Sequence, residues 1–294
     1  MAARPTDWGE SLPLDDIAGE VAIAGVGDAD HSRASGRSAA EIAAQAVERA
    51  IADAGLEAAD VDGLLYSGGV SPFDAAAFHA HFGTSHRIFE SGQGGGMTWA
   101  ATAPLIAARA LRRGEARHLV NVFSVSWATE RDRMLGGPGQ FHAAERFKRN
   151  LEVPFGWFPQ PVYFATIARR HMLEFGTSEA ELGAIAVACR RHANLHPGAL
   201  MRGRPLSLED YLARPMLVDP LRVEDCCLIS DGGGAYLMTS RERARDLRRP
   251  PVVVARVGEG RSGTGSYWSQ QRAFTSTPQV FSAPAAFAMA GIGP

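Results

Sequence analysis

The sequence contains little cysteine, almost no lysine and little net charge. Its 294 residues include three cysteines, and two of them, Cys226 and Cys227, are adjacent. So few thiols exclude a disulfide framework and fit a reducing compartment, and we therefore expect a cytoplasmic protein. Lys148 is the only lysine among 30 basic residues, and 32 acidic residues bring the net charge to −2. This balance gives no electrostatic basis for binding nucleic acid or an anionic membrane.

Long apolar runs are also absent from the sequence. No stretch of about 18 or more apolar residues occurs that could cross a bilayer as a helix. Residues 1–16 are acidic and lack the apolar core of a signal peptide. Hydrophobic residues still make up 46% of the chain, which is enough for one large domain or two of ordinary size.

The first predicted elements are a strand, a helix and a second strand. Residues 21–27 and 63–66 are short apolar runs, and between them Ser38 and Glu41 form a capping box that starts a helix. Apolar residues at helical spacing give this helix one buried face: Ala39, Ile42, Ala43, Ala46, Val47, Ala50 and Ala54. The order strand–helix–strand predicts a parallel α/β sheet.

A glycine-rich loop, a helix of small residues and a buried strand are predicted between residues 91 and 126. Four glycines in the loop permit close approach by a ligand or a neighbouring chain: Gly92, Gly94, Gly95 and Gly96. The helix that follows is rich in alanine, and Pro104 fits only its first turn. Gly114 ends it, and residues 118–125 form a strand apolar enough to be covered on both faces.

This segment resembles the nucleophile segment of the thiolase superfamily. In thiolases a cysteine stands where the loop becomes the helix, because the helix N-terminus lowers the pKa of the thiol. The family spacing, counted back from Gly114, places Met97 at that position. Met97 has no ionisable proton, and the first cysteine of the chain is Cys189. The resemblance therefore implies a thiolase-like fold without the covalent acyl-enzyme intermediate.

A glycine- and proline-rich excursion follows, with helices predicted at 163–175, 178–192 and 207–213. In thiolases such an excursion forms the loop region that shelters the acyl-CoA. It ends in a motif that resembles the sterol-carrier-protein type of thiolase, P-L-x-x-x-D-C-C before S-D-G-small-A. The matching residues are Pro220, Leu221, Asp225, Cys226, Cys227, Ser230, Asp231, Gly232 and Ala235. With the earlier segments, the resemblance spans roughly residues 20–294.

The thiolase fold is a layered α/β fold made of duplicated halves, and the end of the chain is expected to start the second half. Residues 252–257 predict a buried strand, and residues 284–292 repeat the alanine-rich helix and Ala-Gly-aliphatic ending of residues 46–56. So short an echo also arises by chance. The expected domains are a loose arm at 1–19, a first half at 20–250 with an inserted loop region at 128–225, and the beginning of a truncated second half at 251–294.

Three further patterns have a chemical and a structural interpretation. Gly258, Gly260 and Gly263 spell the dinucleotide-binding G-x-G-x-x-G, but no helical pattern follows, which favours a strand-to-loop connection. The adjacent cysteines lack metal-ligand spacing and are structural in the family that the chain resembles. The stretch HAHFGTSH, with His79, His81 and His86, fits a surface helix better than a metal site.

The resemblance implies a substrate site for a coenzyme A thioester, with no cofactor and no metal. Its predicted residues are Gly94, Gly95, Gly96, Met97, His142 and Tyr163. Solvation of His142 and aromatic packing of Tyr163 are the alternative interpretations. A homodimer is expected, and a small OB-fold partner is implied by the relatives of this kind that cleave steroid side chains.

The function implied is carbon–carbon bond cleavage of an acyl-CoA in lipid or sterol side-chain degradation. Such retro-aldol chemistry needs an acid–base pair and an enolate stabiliser but no thiol, so Met97 is compatible with it. The catalytic residues of those relatives lie in the second half and are left unassigned here. The alternatives are a non-catalytic acyl-CoA- or lipid-binding subunit, and an acetyltransferase by family, which Met97 disfavours.

Overall fold

The computed structural model describes residues 8–68, 73–93, 101–131, 146, 148–157, 160–262 and 272–293. By backbone contacts the chain divides into two units. We call one the core unit; it consists of Glu10–Thr129, Ser230–Arg261 and Pro278–Pro294. We call the other the excursion unit; it consists of Met1–Gly9, Glu130–Ile229 and Ser262–Thr277. This division does not test the domains expected from the sequence, at residues 1–19, 20–250 and 251–294, and they stay a prediction.

The described strands fall into three sheets. In chain order they are β1 (Gly9–Ser11), β2 (Val21–Asp28), β3 (Gly63–Ser67), β4 (Phe89–Gln93), β5 (His118–Ser126), β6 (Met216–Val218), β7 (Leu221–Arg222), β8 (Asp231–Ser240), β9 (Val252–Val253) and β10 (Gly260–Ser262). Six of them form the main sheet, in the order β4-β3-β5-β8-β2-β9, while β1 pairs with β10 and β6 with β7.

The described α-helices are eight. They are α1 (Ala39–Ala54), α2 (Ala75–Phe82), α3 (Ala103–Arg112), α4 (Gln160–Phe175), α5 (Glu179–Leu195), α6 (Leu208–Ala213), α7 (Arg241–Ala244) and α8 (Gln279–Ala290). The capping box predicted at Ser38 is confirmed, and a second one starts α5 at Ser178. Pro104 lies in the first turn of α3, as expected from its ring geometry.

The main sheet is mixed, so the expectation of a parallel sheet is wrong in part. Strands β3, β4 and β5 pair in parallel, whereas β8 runs antiparallel between β5 and β2. The predicted neighbours β2 and β3 are therefore separated by two strands. The physical reason is the position of β8, the strand that follows the excursion. It pairs with β5 over the whole length of β5, from Ser126 opposite Asp231 to His118 opposite Thr239.

Each face of the main sheet has its own apolar core. The face that we call the α1 face packs Ile42, Val47 and Ala50 of α1 on Leu64 and Val120. The opposite face, which we call the α3 face, packs the small side chains Ala107 and Ala108 of α3 near Leu65, Leu119 and Met238. Strand β5 carries buried residues on both sides, as its apolar run predicts, and the small side chains of α3 lie in the interior.

The end of the core unit differs from the prediction in one element. Residues 252–257 do not form a buried strand: only Val252–Val253 pair with β2, and Val252 is 66% exposed. The reason is that β9 occupies the margin of the sheet and has one strand neighbour instead of two.

The sequence echo between the two ends of the chain has the same local structure at both. A Cβ at Gly27 would lie 2.2 Å from the carbonyl oxygen of Ala46 in α1, and one at Gly258 would lie 2.1 Å from that of Ser282 in α8. Each helix also ends in a left-handed glycine, Gly55 or Gly291, with the same pair of closing backbone hydrogen bonds. Gly258 and Gly260 thus allow α8 to pack closely against them. In the described residues the G-x-G pattern runs into β10 and not into a helix.

In the excursion unit, the P-L-x-x-x-D-C-C motif has a structural explanation. The carboxylate of Asp225 accepts hydrogen bonds from the backbone N–H of Arg222 (2.6 Å) and the hydroxyl of Tyr211 (2.8 Å). The Arg222 guanidinium lies over the Tyr211 ring and donates to Glu179 at the start of α5. Burial and the Asp225 carboxylate raise the pKa of Tyr211 to about 12. The motif therefore joins α5, α6 and β7.

Candidate functional site

The parallel strands of the core unit define a carboxyl end and an amino end of the main sheet. Strands β3, β4 and β5 finish at the carboxyl end, and α3 begins there because it connects β4 to β5. The first residue of β8, Asp231, pairs with Ser126 at the same end. In open α/β sheets ligands bind outside the carboxyl ends of the strands, so this end is the candidate site.

A buried carboxylate organises the carboxyl end. Asp231 has no solvent exposure and accepts five hydrogen bonds from two loops. Ser35 donates its backbone N–H at 2.6 Å and its hydroxyl at 2.8 Å. Ala128 donates its N–H at 2.9 Å, and Thr129 donates its N–H at 3.1 Å and its hydroxyl at 2.5 Å. We call this arrangement the Asp231 clasp.

The clasp joins the ends of two segments of the core unit. The core unit stops at Thr129 and resumes at Ser230, one residue before Asp231. The backbone of Asp231 also exchanges two hydrogen bonds with that of Ser32, at 2.9 and 3.0 Å. Burial raises the pKa of Asp231, but the hydrogen bonds from Ser35 and Thr129 outweigh burial and bring the pKa to about 2. The carboxylate is therefore charged at neutral pH.

Two glycines of β8 lie beside the clasp on the α3 face of the sheet, and polar side chains of neighbouring segments lie over them. Gly232 lies opposite Val125, and Gly234 lies between Phe123 of β5 and Asp28 of β2. We call Gly232 and Gly234 the glycine floor. Gly233 points to the α1 face instead, where a Cβ would lie 2.8 Å from that of Ser124. On both faces the missing side chains thus admit close packing, by Ser124 on the α1 face and by His31 and Asp28 on the α3 face.

Two exposed ionisable side chains border the glycine floor. A Cβ at Gly232 would lie 2.3 Å from Cδ2 and 2.9 Å from Nε2 of His31, so the imidazole rests directly on that glycine. A Cβ at Gly234 would lie 3.3 Å from Oδ1 of Asp28. Two residues along a strand are about 7 Å apart, so the carboxylate and the imidazole stand on the same short stretch of backbone.

The glycine floor continues into apolar and amide side chains towards the middle of the sheet. Val26 faces the same side and is 59% exposed, and Tyr236 lies opposite both Val26 and Asn121. Asn121 is buried and hydrogen-bonds the Tyr236 hydroxyl, whose pKa burial raises to about 12. Within the part of the chain that the structure describes, Oδ1 of Asn121 has no hydrogen-bond partner.

The residues predicted for the substrate site are placed only in part. Gly94, Gly95, Gly96, Met97 and His142 lie outside the described residues. Tyr163 is in α4 of the excursion unit, where it is buried with its ring edge-on to Trp157 at 5.0 Å and with the Lys148 ammonium 5.9 Å from its centroid. Its packing is aromatic, as in the alternative interpretation, and its contact with substrate stays a prediction.

The histidine and cysteine patterns have ordinary structural surroundings. His79 hydrogen-bonds Thr84 at 2.8 Å, and His86 hydrogen-bonds the carbonyl of Val61 at 2.7 Å. The described residues contain no group of three or more His, Cys, Asp or Glu arranged to hold a metal ion. Burial raises the pKa of the Cys226 thiol, which disfavours a reactive thiolate. None of the described helices is long and apolar enough to span a membrane.

Comparison with known proteins gives consistent relatives. No family model matches the chain. A steroid side-chain-cleaving aldolase of Thermomonospora curvata is 36% identical over 83% of this chain and 63% of its own length. A 17-hydroxy-3-oxo-4-pregnene-20-carboxyl-CoA lyase of Mycobacterium tuberculosis is 35% identical over 83% of this chain and 64% of its own. The chain thus spans somewhat less than two thirds of these curated relatives.

A solved structure agrees with these relatives. The Ltp2-ChsH2(DUF35) aldolase matches with a TM-score of 0.80 and 33% identity, over 95% of this chain and 72% of that one. Solved thiolase-like and thiolase structures that are 13–20% identical share the fold, with TM-scores of 0.63–0.69. The chain belongs to the thiolase-like superfamily. The resemblance deduced from the loop at 91–126 and the motif at 220–235 is therefore confirmed.

Sequence reasoning did not assign a site role to the residues that shape the carboxyl end. In the sequence Asp231 and Gly232 are matches to the sterol-carrier-protein type of thiolase, and no sequence pattern points to His31. A signal was present in the run S-D-G-G-G-A, because three consecutive glycines in a strand indicate close backbone approach. Ser35, which donates to Asp231, lies 196 positions away along the chain, so the clasp has no local sequence signature.

Proposed function

We propose that this thiolase-like protein binds a coenzyme A thioester at the carboxyl end of the main sheet and takes part in cleaving a carbon–carbon bond of its acyl group. The observation that supports this most is its 33–36% identity to two aldolases and an acyl-CoA lyase. The Asp231 clasp and the glycine floor lie at the end where such sheets bind ligands, in the same unit as the start of α3.

The proposed reaction is a retro-aldol cleavage. A base removes the proton of a β-hydroxyl, the β-carbon becomes a carbonyl, and the bond from the α-carbon to the β-carbon breaks. Its electron pair moves into the thioester as an enolate, which is then protonated at the α-carbon. No thiol enters this sequence, and the cysteines at 189, 226 and 227 all belong to the excursion unit. Met97 at the expected nucleophile position agrees with this chemistry.

The experiment uses the CoA ester named for the lyase relative, 17-hydroxy-3-oxo-4-pregnene-20-carboxyl-CoA. Isothermal titration should detect its binding to the protein, and mass spectrometry would identify cleavage by a 17-ketone together with the shortened acyl-CoA. The peptide that contains residues 90–100 should remain free of acyl groups. Absence of binding by the folded protein would contradict the proposal, and an acyl adduct on that peptide would contradict the non-covalent mechanism.

The solved neighbour is a complex with a DUF35 protein, and this suggests a partner for the present chain. We propose a partner of the DUF35 type and, as expected from the sequence, association of two copies of the chain. Adding ChsH2, the DUF35 component of that complex, should increase turnover if the docking surface is shared. Binding without turnover in the presence of ChsH2 would favour the alternative function, a non-catalytic acyl-CoA-binding subunit.

A further inference from the structure

We propose that the cavity at the amino end of the main sheet binds the phosphate group of a small molecule, and that Arg241 and Arg245 hold this group. The cavity has a volume of about 590 Å³ and lies between the residues that precede β2, the last turn of α3 and the short helix α7. All of its walls belong to the core unit. Ligand pockets in proteins usually have volumes of about 300–1,000 Å³. The inference goes beyond the proposed function, because the acyl-CoA site is placed at the opposite end of the sheet.

Positive charge predominates in the walls of the cavity. Four arginines and two glutamates line it, and Arg112 is paired with Glu20 at 2.6 Å. Three arginines then remain for one further carboxylate, that of Glu242. The whole chain has a net charge of −2, so this local excess of positive charge is not a general property of its surface. A concave wall of one charge sign raises the local concentration of ions of the opposite sign, which are anions here.

Arg241 and Arg245 are placed to hold one anion together. They are four positions apart on the turn of α7 and its C-terminal residue, so their side chains are neighbours on one side of the turn. Two like charges at this spacing repel each other. Neither guanidinium has a hydrogen bond or an ion pair within the described residues. A phosphate between them would replace this repulsion by charge-assisted hydrogen bonds, for which the planar guanidinium is well shaped.

The backbone that carries these arginines is fixed, while their side chains are exposed. The N–H of Arg241 donates to the carbonyl of Glu20 at 2.9 Å, and the Ser240 hydroxyl accepts from the N–H of Arg243 at 3.3 Å at the start of α7. Ala244 has no solvent exposure and anchors the same turn in the apolar core of the α1 face. The turn therefore holds the two charges at a defined place and leaves their donors available to a ligand.

One wall of the cavity is apolar and comes from α3. The partly buried Leu111 and the buried Ala108 line it. This aliphatic wall, and a volume greater than one phosphate group occupies, favour a phosphate ester of a small organic molecule over free phosphate. The ligand class is therefore a phosphorylated small molecule with an apolar part.

The test measures dissociation constants for phenyl phosphate and for inorganic phosphate by isothermal titration at one fixed ionic strength. Wild type should bind phenyl phosphate more tightly, because its ring contacts the wall that Leu111 provides, and equal affinity would overturn the ester assignment. Arg241→Gln and Arg245→Gln should each weaken binding of both probes about tenfold, the value of one lost charge-assisted hydrogen bond. Failure of wild type to bind either probe, or wild-type affinity in both arginine variants, would overturn the inference.

Two matched controls test whether the effect is local. Arg191 and Arg202 are exposed arginines of the excursion unit, and Arg191→Gln and Arg202→Gln change the net charge of the chain equally. Both variants should bind phenyl phosphate like wild type, and a tenfold loss in either would overturn the assignment to the cavity. Arg241→Lys keeps the charge but loses the planar fork, so its affinity should fall between those of wild type and Arg241→Gln. Urea unfolding should show the same midpoint for all these variants, because every replaced side chain is exposed.

A second titration separates this site from the proposed acyl-CoA site. The double variant Arg241→Gln/Arg245→Gln should bind 17-hydroxy-3-oxo-4-pregnene-20-carboxyl-CoA as tightly as wild type. If wild type binds phenyl phosphate but not the acyl-CoA, the proposed function fails and the present inference stands. If wild type binds the acyl-CoA but not phenyl phosphate, only the present inference fails. A loss of acyl-CoA affinity in the double variant would assign the two arginines to coenzyme A and overturn a separate site.

Discussion

The two ends of strand β5 are both held by an aspartate, but the two aspartates hold different things. At the amino end Asp62 accepts the backbone N–H groups of Arg117 (2.6 Å) and His118 (2.8 Å), and the Arg117 side chain covers it at 3.3 Å. At the carboxyl end Asp231 accepts from two separate loops. The first aspartate closes a strand start, whereas the second fixes loops whose other side chains remain exposed.

The ionisable side chains near the two ends of the main sheet also differ in their partners. At the amino end Arg112 donates twice to Glu20, at 2.6 and 2.8 Å. An open cavity of about 590 Å³ lies there, lined by this pair and by three arginines of residues 241–245. At the carboxyl end Asp28 and His31 each lie over a glycine of β8. Around the cavity at the amino end a charged pair is exposed, whereas the carboxyl end holds a buried carboxylate in hydrogen bonds from two loops.

Replacing each aspartate by asparagine should give the largest stability difference between the two ends. Asp231→Asn keeps the shape but replaces one acceptor oxygen with a donor among five donors, and should lower the free energy of unfolding by about 3 kcal/mol. Asp62→Asn changes a partly exposed cap and should cost about 1 kcal/mol. Urea unfolding of both variants measures the difference. Equal losses would mean that the two ends are held alike.

Lowering the pH should reduce the stability that the Asp231 carboxylate contributes at the carboxyl end. The pKa of Asp231 in the folded protein is about 2, below its ordinary value of 3.8. Its contribution is therefore complete above about pH 5 and is lost as the pH falls towards 2, and it amounts to about 2 kcal/mol. The stability difference between wild type and Asp231→Asn should accordingly shrink between about pH 5 and about pH 2.5. A constant difference would refute the lowered pKa.

The ion pair at the amino end should have the smallest effect. Arg112 and Glu20 are both about two-fifths exposed, and the hydrogen bond from Arg112 lowers the pKa of Glu20. An exposed pair of this kind contributes about 1 kcal/mol or less and is screened by salt. Glu20→Gln should therefore lower the unfolding free energy slightly in dilute buffer and hardly at all in about 1 M NaCl. A loss that persists in high salt would show a structural role beyond charge.

Local signals in the sequence were enough for much of the fold. The capping box at Ser38, the alanine face of α1 and the final Gly55 each act within a few residues, so α1 could be predicted closely. The position of β8 could not, because the direction of a strand depends on which neighbours it meets after an excursion of about a hundred residues. The prediction of a buried strand at residues 252–257 was wrong for the same reason. An apolar run does not show that its strand lies at the edge of the sheet and has only one neighbour.

The candidate site was less accessible from the sequence than the fold. The resemblance correctly placed the chain among thiolase-like proteins, but its site residues lie in the loop at 94–97, at His142 and at Tyr163. The carboxyl end instead depends on Asp231 meeting Ser35 and Thr129, which lie 196 and 102 positions away. Such contacts are properties of the folded sheet. His31 becomes a candidate only because a glycine lies beneath its ring.

Hydrogen exchange with and without acyl-CoA tests the central claim most directly. With 17-hydroxy-3-oxo-4-pregnene-20-carboxyl-CoA bound, we expect slower amide exchange in residues 28–36, 123–129 and 231–236, at the carboxyl end of the main sheet. We expect no change in residues 111–118 and 239–245, at the amino end. Protection confined to the amino end, or no protection at the carboxyl end when binding is saturated, would contradict the account.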